Sequence, residues 1–258
     1  MKKTIAVVTG ASSGMGREFV RQLDTCTRTL EEVWVIARRE DRLKALQEEV
    51  KHLNLRILAL DICKRDDLDK LEKLLEEEQP RVRLLINSAG VGKAGRFDEI
   101  TRKQAENMVL LNDMALVSIT HMVLPYMKEK SNIIQMASAA GFLPQRGFAT
   151  YAASKAFVLN FSRALRFELK DKGISVTAVC PGPVDTEFLE ISNGVGIKNP
   201  LKEFTMVRPD VVVSKALRDA KNGKGISVYG LPMKAVHVAG KLLPSSVVLS
   251  VLGLVQDK

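Results

Sequence analysis

The chain is poor in the residues that staple or tether a protein. Its three cysteines, Cys26, Cys63 and Cys180, stand far apart without C-x-x-C spacing, which argues against a disulfide framework and a zinc site and fits free thiols in a reducing cytosol. The three histidines, His52, His121 and His237, lie outside any ligand-spaced cluster, so no metal is expected. Long apolar runs are missing too. Met1-Lys2-Lys3 followed by TIAVV begins like a signal peptide, but the run breaks at Thr9-Gly10, too early for an h-region. No interior segment, VVLSVLGLV near the end included, reaches the uninterrupted length of a membrane span. A cytoplasmic protein is the expectation. Linkers and low-complexity tracts are also absent.

What remains is a chain of 258 residues, 46% hydrophobic and 27% charged, long enough for one large core. A single α/β domain over residues 1–258 follows. The formal charge of +9 would fit an acidic partner, but Lys and Arg are interleaved with Asp and Glu along the whole sequence. Sites for anionic small molecules account for it, and nucleic acid is not an expected partner. Short β-branched runs alternate with amphipathic stretches: TIAVVT, GREFVRQL, VWVIA, DRLKALQEEV, LRILAL, DLDKLEKLLEEE, RLLIN. A helix from about 103 to 127, the strand NIIQMAS, a helix from about 151 to 169 and the strand ISVTAV come next. A loop, a helix opened by Pro209, the strand GISVYG and an apolar tail complete the chain. Strand and helix in alternation predict a doubly wound Rossmann-type fold, with a parallel sheet of about seven strands and helices on both faces. Such sheets bind ligands beyond the carboxyl ends of their strands, so the residues just after strands are the candidates.

The first strand ends in TGASSGMG, with Gly10, Gly14 and Gly16. Glycines there allow a tight turn, close approach of backbone to a pyrophosphate, and a helix N-terminus aimed at the anion. The spacing departs from the commoner G-x-G-x-x-G, and a purely structural turn would look similar. The second strand is followed by Arg38 and Arg39, where a carboxylate would serve a free ribose 2′-hydroxyl; arginine suits a 2′-phosphate, so Arg38, helped by Arg39, is expected to carry a preference for NADP over NAD. Ser12 or Ser13 would assist at the same phosphate. Asp61-Ile62 and the NSAG of Asn87 to Gly90 follow the third and fourth strands. Taken singly, these have ordinary capping and turn explanations. Asn112 is odder, a poor helix former within MVLLNDMALV, where its amide could bond backbone or water and disturb the helix ladder. Ser138 ends the fifth strand thirteen positions before the stretch YAASK. On a helix Tyr151 and Lys155 share a face, and a neighbouring ammonium favours the ionised phenol, giving a tyrosine able to exchange protons.

In this order and spacing, TGASSGMG, NSAG, Asn112, Ser138, YAASK and PGPVDT resemble the short-chain dehydrogenase/reductase superfamily, from the first strand through Ser227 to Tyr229. The resemblance implies a nicotinamide-dependent oxidoreductase with the tetrad Asn112, Ser138, Tyr151 and Lys155. It implies a cofactor site at Gly10, Ser12, Ser13, Gly14, Met15, Gly16, Arg38, Arg39, Asp61, Ile62, Asn87, Ala89 and Gly90. Tyr151 and Lys155 also belong to that site, as do Pro181, Gly182, Val184 and Thr186 of the segment beside the nicotinamide. Asp61-Ile62 would contact adenine, Lys155 the nicotinamide ribose, and Asn112 a water linking Lys155 to solvent. Ser88 departs from the usual second asparagine of N-N-A-G, and DTCTRTLEE is longer and more polar than the common turn at that point.

Substrate class is only faintly legible. Phe188, Leu189, Ile191, Ile197, Phe204 and Met206 give the segment 186–207 the composition of a lid with an apolar inner side, although burial against the domain would explain them equally. Phe142, Leu143 and Phe148 point the same way. An apolar ketone or secondary alcohol, steroid-, bile-acid- or lipid-like, is favoured. A small 3-hydroxy acid meeting Arg146 or Lys198 is the polar rival, and a non-catalytic NADP-binding regulator the rival of another class. The apolar tail 231–258, divided by Pro244, is expected to cover the cleft or pack on a partner subunit; lying on a membrane is the less favoured fate. The resemblance implies a homodimer or homotetramer paired through the two long helices.

Overall fold

The computed structural model describes residues 2–27, 29–192 and 206–242. Seven parallel strands form one sheet in the order β3-β2-β1-β4-β5-β6-β7. They are β1 (Thr4–Thr9), β2 (Glu32–Ala37), β3 (Asn54–Ala59), β4 (Arg81–Asn87), β5 (Met127–Met136), β6 (Ser175–Val179) and β7 (Ile226–Ser227). The chain runs outward from β1 to β3 and then returns to β4 on the other side of β1. That reversal opens a crevice beyond the carboxyl ends of β1 and β4.

Why the sheet is covered twice can be read from β1 alone. Ile5 and Val7 face one core and Ala6 and Val8 the other, the period-two alternation of a strand buried on both sides. The second of these cores takes Phe19 and Leu23 of α1 (Gly14–Cys26), Leu43 and Leu46 of α2 (Glu40–Glu49), and Val213 and Ala216 of α7 (Pro209–Lys221). The first takes Leu71 and Leu75 of α3 (Arg65–Glu78), Ile119 and Val123 of α4 (Arg102–Tyr126), and Leu165 of α5 (Ala149–Glu168). Each of these side chains larger than alanine contributes about 1.5–3 kcal/mol by leaving water. A short helix α6 (Glu187–Ser192) and a last helix α8 (Leu231–Leu242) complete the described elements.

Four details depart from the expectations. First, α4 is long and apolar enough, by length and composition, to cross a membrane, although the sequence was read as holding no such segment. Its apolar content serves the core, where Met108, Ala115, Leu116, Ile119 and Val123 are buried. Second, β5 begins at Met127 rather than Asn132, with an irregularity opposite Val82 to Leu84 and Lys130 at φ 64°. Third, β7 keeps only two residues of the expected GISVYG, because Gly230 at φ 80° turns the chain into α8. Fourth, α1 runs on through Cys26 into the long polar connection. There the buried Asp24 carboxylate accepts N–H bonds from Lys51, His52 and Leu53 at 3.1, 2.7 and 2.9 Å, tying α1 to the turn before β3.

Candidate active site

The glycine-rich turn closes because side chains are missing where backbones meet. A Cβ on Gly10, which sits at φ 69°, would lie 2.7 Å from the Ala89 backbone, and one on Gly16 would lie 2.3 Å from the Gly10 carbonyl oxygen. Thr9 Oγ1 accepts the N–H groups of Ser88 and Ala89 at 3.1 and 3.2 Å, locking the β1 and β4 loops together. The helix that follows has Ser13 as N-cap but no side-chain capping bond, and no acidic residue in its first turn. Met15 lies in that turn, partly buried against the core. The first amides of α1 are thus left for an anion in the crevice, as a dinucleotide pyrophosphate requires. Gly14 opens toward Thr186, whose Cβ lies 3.5 Å from where a side chain on Gly14 would begin.

On the β2 side the two arginines separate. Arg38 is exposed and has no hydrogen-bond partner among the described residues, whereas Arg39 is organised. The Arg39 guanidinium donates to Ser12 Oγ at 3.2 and 3.3 Å, to Ser13 Oγ at 2.8 Å and to Glu187 at 3.0 Å. Arg42, one turn into α2, donates to the other Glu187 oxygen at 2.6 Å. Neither Arg42 nor Glu187 stands out in the sequence, since their meeting depends on a contact across 145 positions.

The residues after β3 and β4 divide as well. Asp61 stays partly exposed at the edge, its Oδ1 accepting the Cys63 N–H at 3.1 Å. The Ile62 side chain is turned into the core, 6% exposed, so only its main chain faces the crevice edge where adenine contact is expected. Asn87 is 2% exposed and its amide nitrogen donates to Thr120 Oγ1 at 2.9 Å and Gln135 Oε1 at 3.0 Å, bracing β4 against α4 and β5, while its Oδ1 is buried without a partner among the described residues. Beyond it the main chain of Ala89 and Gly90 forms the crevice floor. A Cβ on Gly90 would stand 3.2 Å from Asn112 Oδ1 and 3.4 Å from Lys155 Nζ, so this glycine lets the two approach.

Asn112 lies within a π-helical turn of α4, Leu110–Ala115. Its wholly buried side chain accepts the Val91 N–H at 2.8 Å and donates to the Val91 carbonyl at 2.9 Å and to Ser154 Oγ at 3.0 Å. It therefore clamps the strand-end loop onto α4 and α5. Across the crevice, Ser138 caps the short helical turn Ala139–Phe142, accepting the Ala140 N–H at 3.1 Å. Its hydroxyl also hydrogen-bonds Tyr151. Tyr151 is 7% exposed, stacked on Phe148 at 4.3 Å between centroids and flanked by Phe188 at 5.6 Å. Lys155 is 4% exposed; its ammonium donates to the Met136 carbonyl at 2.8 Å and lies 5.7 Å from the Tyr151 ring centroid.

Electrostatically the pair behaves differently from the expectation. Burial pushes the Tyr151 hydroxyl up to about 12, against a lowering by the Ser138 hydrogen bond. Burial also pushes Lys155 down to about 8, opposed chiefly by the Asp113 carboxylate. The expected lowering of the phenol by Lys155 does not register in the free protein, where desolvation penalises both charged forms. The resting state is a phenol ready to give a proton.

Segment 181–186 forms the far wall. The Pro181 carbonyl accepts the Ala139 N–H at 2.8 Å, Val184 pairs with Val207 in a parallel bridge, and Thr186 Oγ1 donates to the Val184 carbonyl at 3.3 Å. Helix α8 lies against this wall: a Cβ on Gly182 would stand 2.6 Å from Met233 Sδ, one on Gly240 2.7 Å from the Phe142 carbonyl, and His237 meets the Phe142 ring edge-on at 4.3 Å. Of the expected lid, Ile191, Ile197, Lys198 and Phe204 lie outside the residues whose side chains are described, as does the tail from 243 onward. A cavity of about 510 Å³ lies under the loop 141–146 and the Ala149–Ala156 side of α5; neither Ser138 nor Tyr151 lines it.

A doubly wound sheet, an anion-ready helix N-terminus at its switch point, and a half-buried serine beside a buried Tyr–Lys pair define the class of nicotinamide-dependent oxidoreductases acting on alcohol and carbonyl groups. The short chain dehydrogenase family model matches residues 4–194, and the chain belongs to that family. It is 36% identical over 192 residues to a sulfoacetaldehyde reductase of Chromohalobacter salexigens, covering 72% of this chain and 75% of that one. It is 29% identical over 239 residues to a serine 3-dehydrogenase of Agrobacterium fabrum, covering 90% and 93%. Among solved structures, a short-chain dehydrogenase from Sphingobium yanoikuyae in complex with NADPH superposes with a TM-score of 0.78 at 29% identity, over 99% of this chain and 96% of that one.

Proposed function

We propose that the chain interconverts a ketone and a secondary alcohol with NADP(H), Tyr151 acting as general acid and base. The observation that carries this reading is the Ser138–Tyr151–Lys155 group, its tyrosine and lysine buried against the loop of Gly90 and Gly92 after β4. When bound, the nicotinamide supplies or accepts the hydride. Ser138 holds the substrate oxygen by its hydroxyl, and Tyr151 gives the proton that the developing alkoxide needs. With the phenol near 12, the protonated form is in place for reduction; in the other direction Tyr151 needs a positive charge nearby to accept a proton. Lys155 provides one such charge and holds the nicotinamide ribose hydroxyls. Asn112 keeps the Val91 loop, and with it the Lys155 side of the crevice, in place.

Preference for NADP is supported by Arg39, with Arg42 beside it and Arg38 at the rim, and by Ser12 and Ser13 within reach of the same guanidinium. The NADPH-bound relative from Sphingobium agrees with this reading. The rings of Phe148 and Phe188 on either side of Tyr151 favour an apolar carbonyl compound. A small acidic substrate is the second reading, favoured by the names of the two curated relatives and by Arg146 in the loop beside the site. Exposed Val109, Met114 and Phe157 on α4 and α5 favour a homodimer joined through those helices. Incubation with NADPH and NADH against a panel of steroid, fatty and keto-acid substrates, followed by nicotinamide absorbance, tests the whole reading. Turnover of an apolar ketone with NADPH is expected. Turnover of keto acids alone selects the second reading, and no turnover of any carbonyl leaves a non-catalytic nucleotide binder.

A further inference from the structure

Glu187 places a carboxylate where the proposed cofactor needs cations. Both of its oxygens are engaged, one by Arg39 at 3.0 Å and the other by Arg42 at 2.6 Å, and the Arg39 guanidinium also spans Ser12 and Ser13. Two guanidinium groups converge on one acid, and two serine hydroxyls hold one of those guanidinium groups in place, which makes a built anion site with the donor set that a phosphate monoester takes. All three partners are partly exposed, with 39% for each arginine and 30% for Glu187, so the contact can open without unfolding the core. The acid comes from the first residue of α6, immediately after Thr186, whose Cβ lies near Gly14 at the opening of α1. One end of the contact is thus the adenosine side of the crevice and the other is the start of the segment that follows the nicotinamide wall.

We infer that Glu187 is an internal competitor of the 2′-phosphate: uptake of a 2′-phosphorylated dinucleotide takes Arg39 and Arg42 from Glu187 and frees the first turn of α6 from α2. This rests on the NADP reading above. The two cannot be satisfied together, because the same guanidinium N–H groups face both acids and the acids repel one another at that distance. Glu187 therefore sets the margin by which NADP is preferred over NAD. A nucleotide with a free 2′-hydroxyl leaves the ion pairs standing. The linkage is reciprocal: whatever draws the start of α6 away from α2 strengthens binding of the 2′-phosphate by the same factor.

The test is equilibrium binding of NADP⁺ and NAD⁺ by titration calorimetry at low ionic strength, on the parent, Glu187→Gln, Arg39→Ala and Arg42→Ala. Glu187→Gln is expected to bind NADP⁺ roughly 3- to 20-fold more tightly, with NAD⁺ affinity within about twofold of the parent. Amide hydrogen exchange across residues 187–192 should rise on adding NADP⁺ to the parent, stay put with NAD⁺, and already be high in Glu187→Gln without nucleotide. If Arg39→Ala loses NADP⁺ preference while Glu187→Gln binds NADP⁺ no better than the parent, the competitor role is wrong and the cofactor reading stands. If neither arginine substitution changes the ratio of NADP⁺ to NAD⁺ affinity, the cofactor reading itself fails and the competitor role falls with it.

Discussion

Two halves of the same sheet edge do their work under opposite physical regimes. On the α5 side, Tyr151, Lys155 and Asn112 are nearly sealed from water, and burial moves the tyrosine up to about 12 and the lysine down to about 8. On the α2 side, Arg39, Arg42 and Glu187 are each about a third exposed and interact through solvent-screened charge. Burial fixes geometry and makes every polar atom expensive to misplace. Partial exposure keeps the arginines exchangeable between partners at little cost. Proton transfer needs the former and reversible capture of a charged cofactor the latter.

The sharpest way to break this contrast is Tyr151→Phe. It removes the transferable proton and keeps the ring between Phe148 and Phe188, so turnover should fall by roughly 10²-fold or more while NADPH binding changes by less than about twofold. Turnover within about tenfold of the parent would assign the proton to another group. Next in size is Arg39→Ala, expected to lower the NADP to NAD affinity ratio by roughly 10- to 150-fold, since charge-assisted hydrogen bonds are worth about 1.5–3 kcal/mol. Arg38→Ala, at an exposed residue without a hydrogen-bond partner among those described, should move the ratio less.

A pH titration separates the halves further. Lys155 carries its charge below about pH 8 and loses it as the pH rises through that value. kcat/KM for ketone reduction should therefore decline above about pH 8, while the NADP to NAD ratio, set by arginines, stays level to about pH 10. A flat kcat/KM profile across pH 7–10 would remove Lys155's charge from the proton step. The smallest expected effect is that of salt. Raising ionic strength from about 0.05 to 0.5 M should erode the NADP to NAD ratio severalfold and leave kcat at saturating cofactor nearly unchanged.

The strand and helix order was legible because strands buried on both faces are written as unbroken apolar runs, TIAVVT and VWVIA among them. The edges were not. β7 was overcalled because a β-branched run says nothing about where Gly230 will turn the chain. At the site, residues whose role is local stood out: glycines at a tight turn, and Tyr151 and Lys155 one helical turn apart. Residues whose role is settled by a distant partner did not. The sequence cannot say that the Ile62 side chain faces the core, that the Asn87 amide nitrogen is taken by Thr120 and Gln135, or that of two adjacent arginines it is Arg39 that turns toward Ser12 and Ser13. Glu187 was invisible for the same reason, as an acid beside no cation in the chain but beside two in space.

The wide turn at Leu110–Ala115 gives α4 a slack of one residue. Upstream, Met108 packs in the cluster around Tyr151, while downstream Ala115, Ile119 and Val123 pack beneath the sheet. An α-helix rotates about 100° per residue, and the π turn takes up one extra residue without adding that rotation. Removing one residue from 110–115 other than Asn112 would close the turn to ordinary pitch with both anchors still facing their own clusters, and would shift chiefly the Asn112 clamp on Val91. Removing a second residue, or one elsewhere in α4, would turn one anchor away from its cluster. A single-residue deletion, ordinarily ruinous inside a helix, should here cost the site more than the fold.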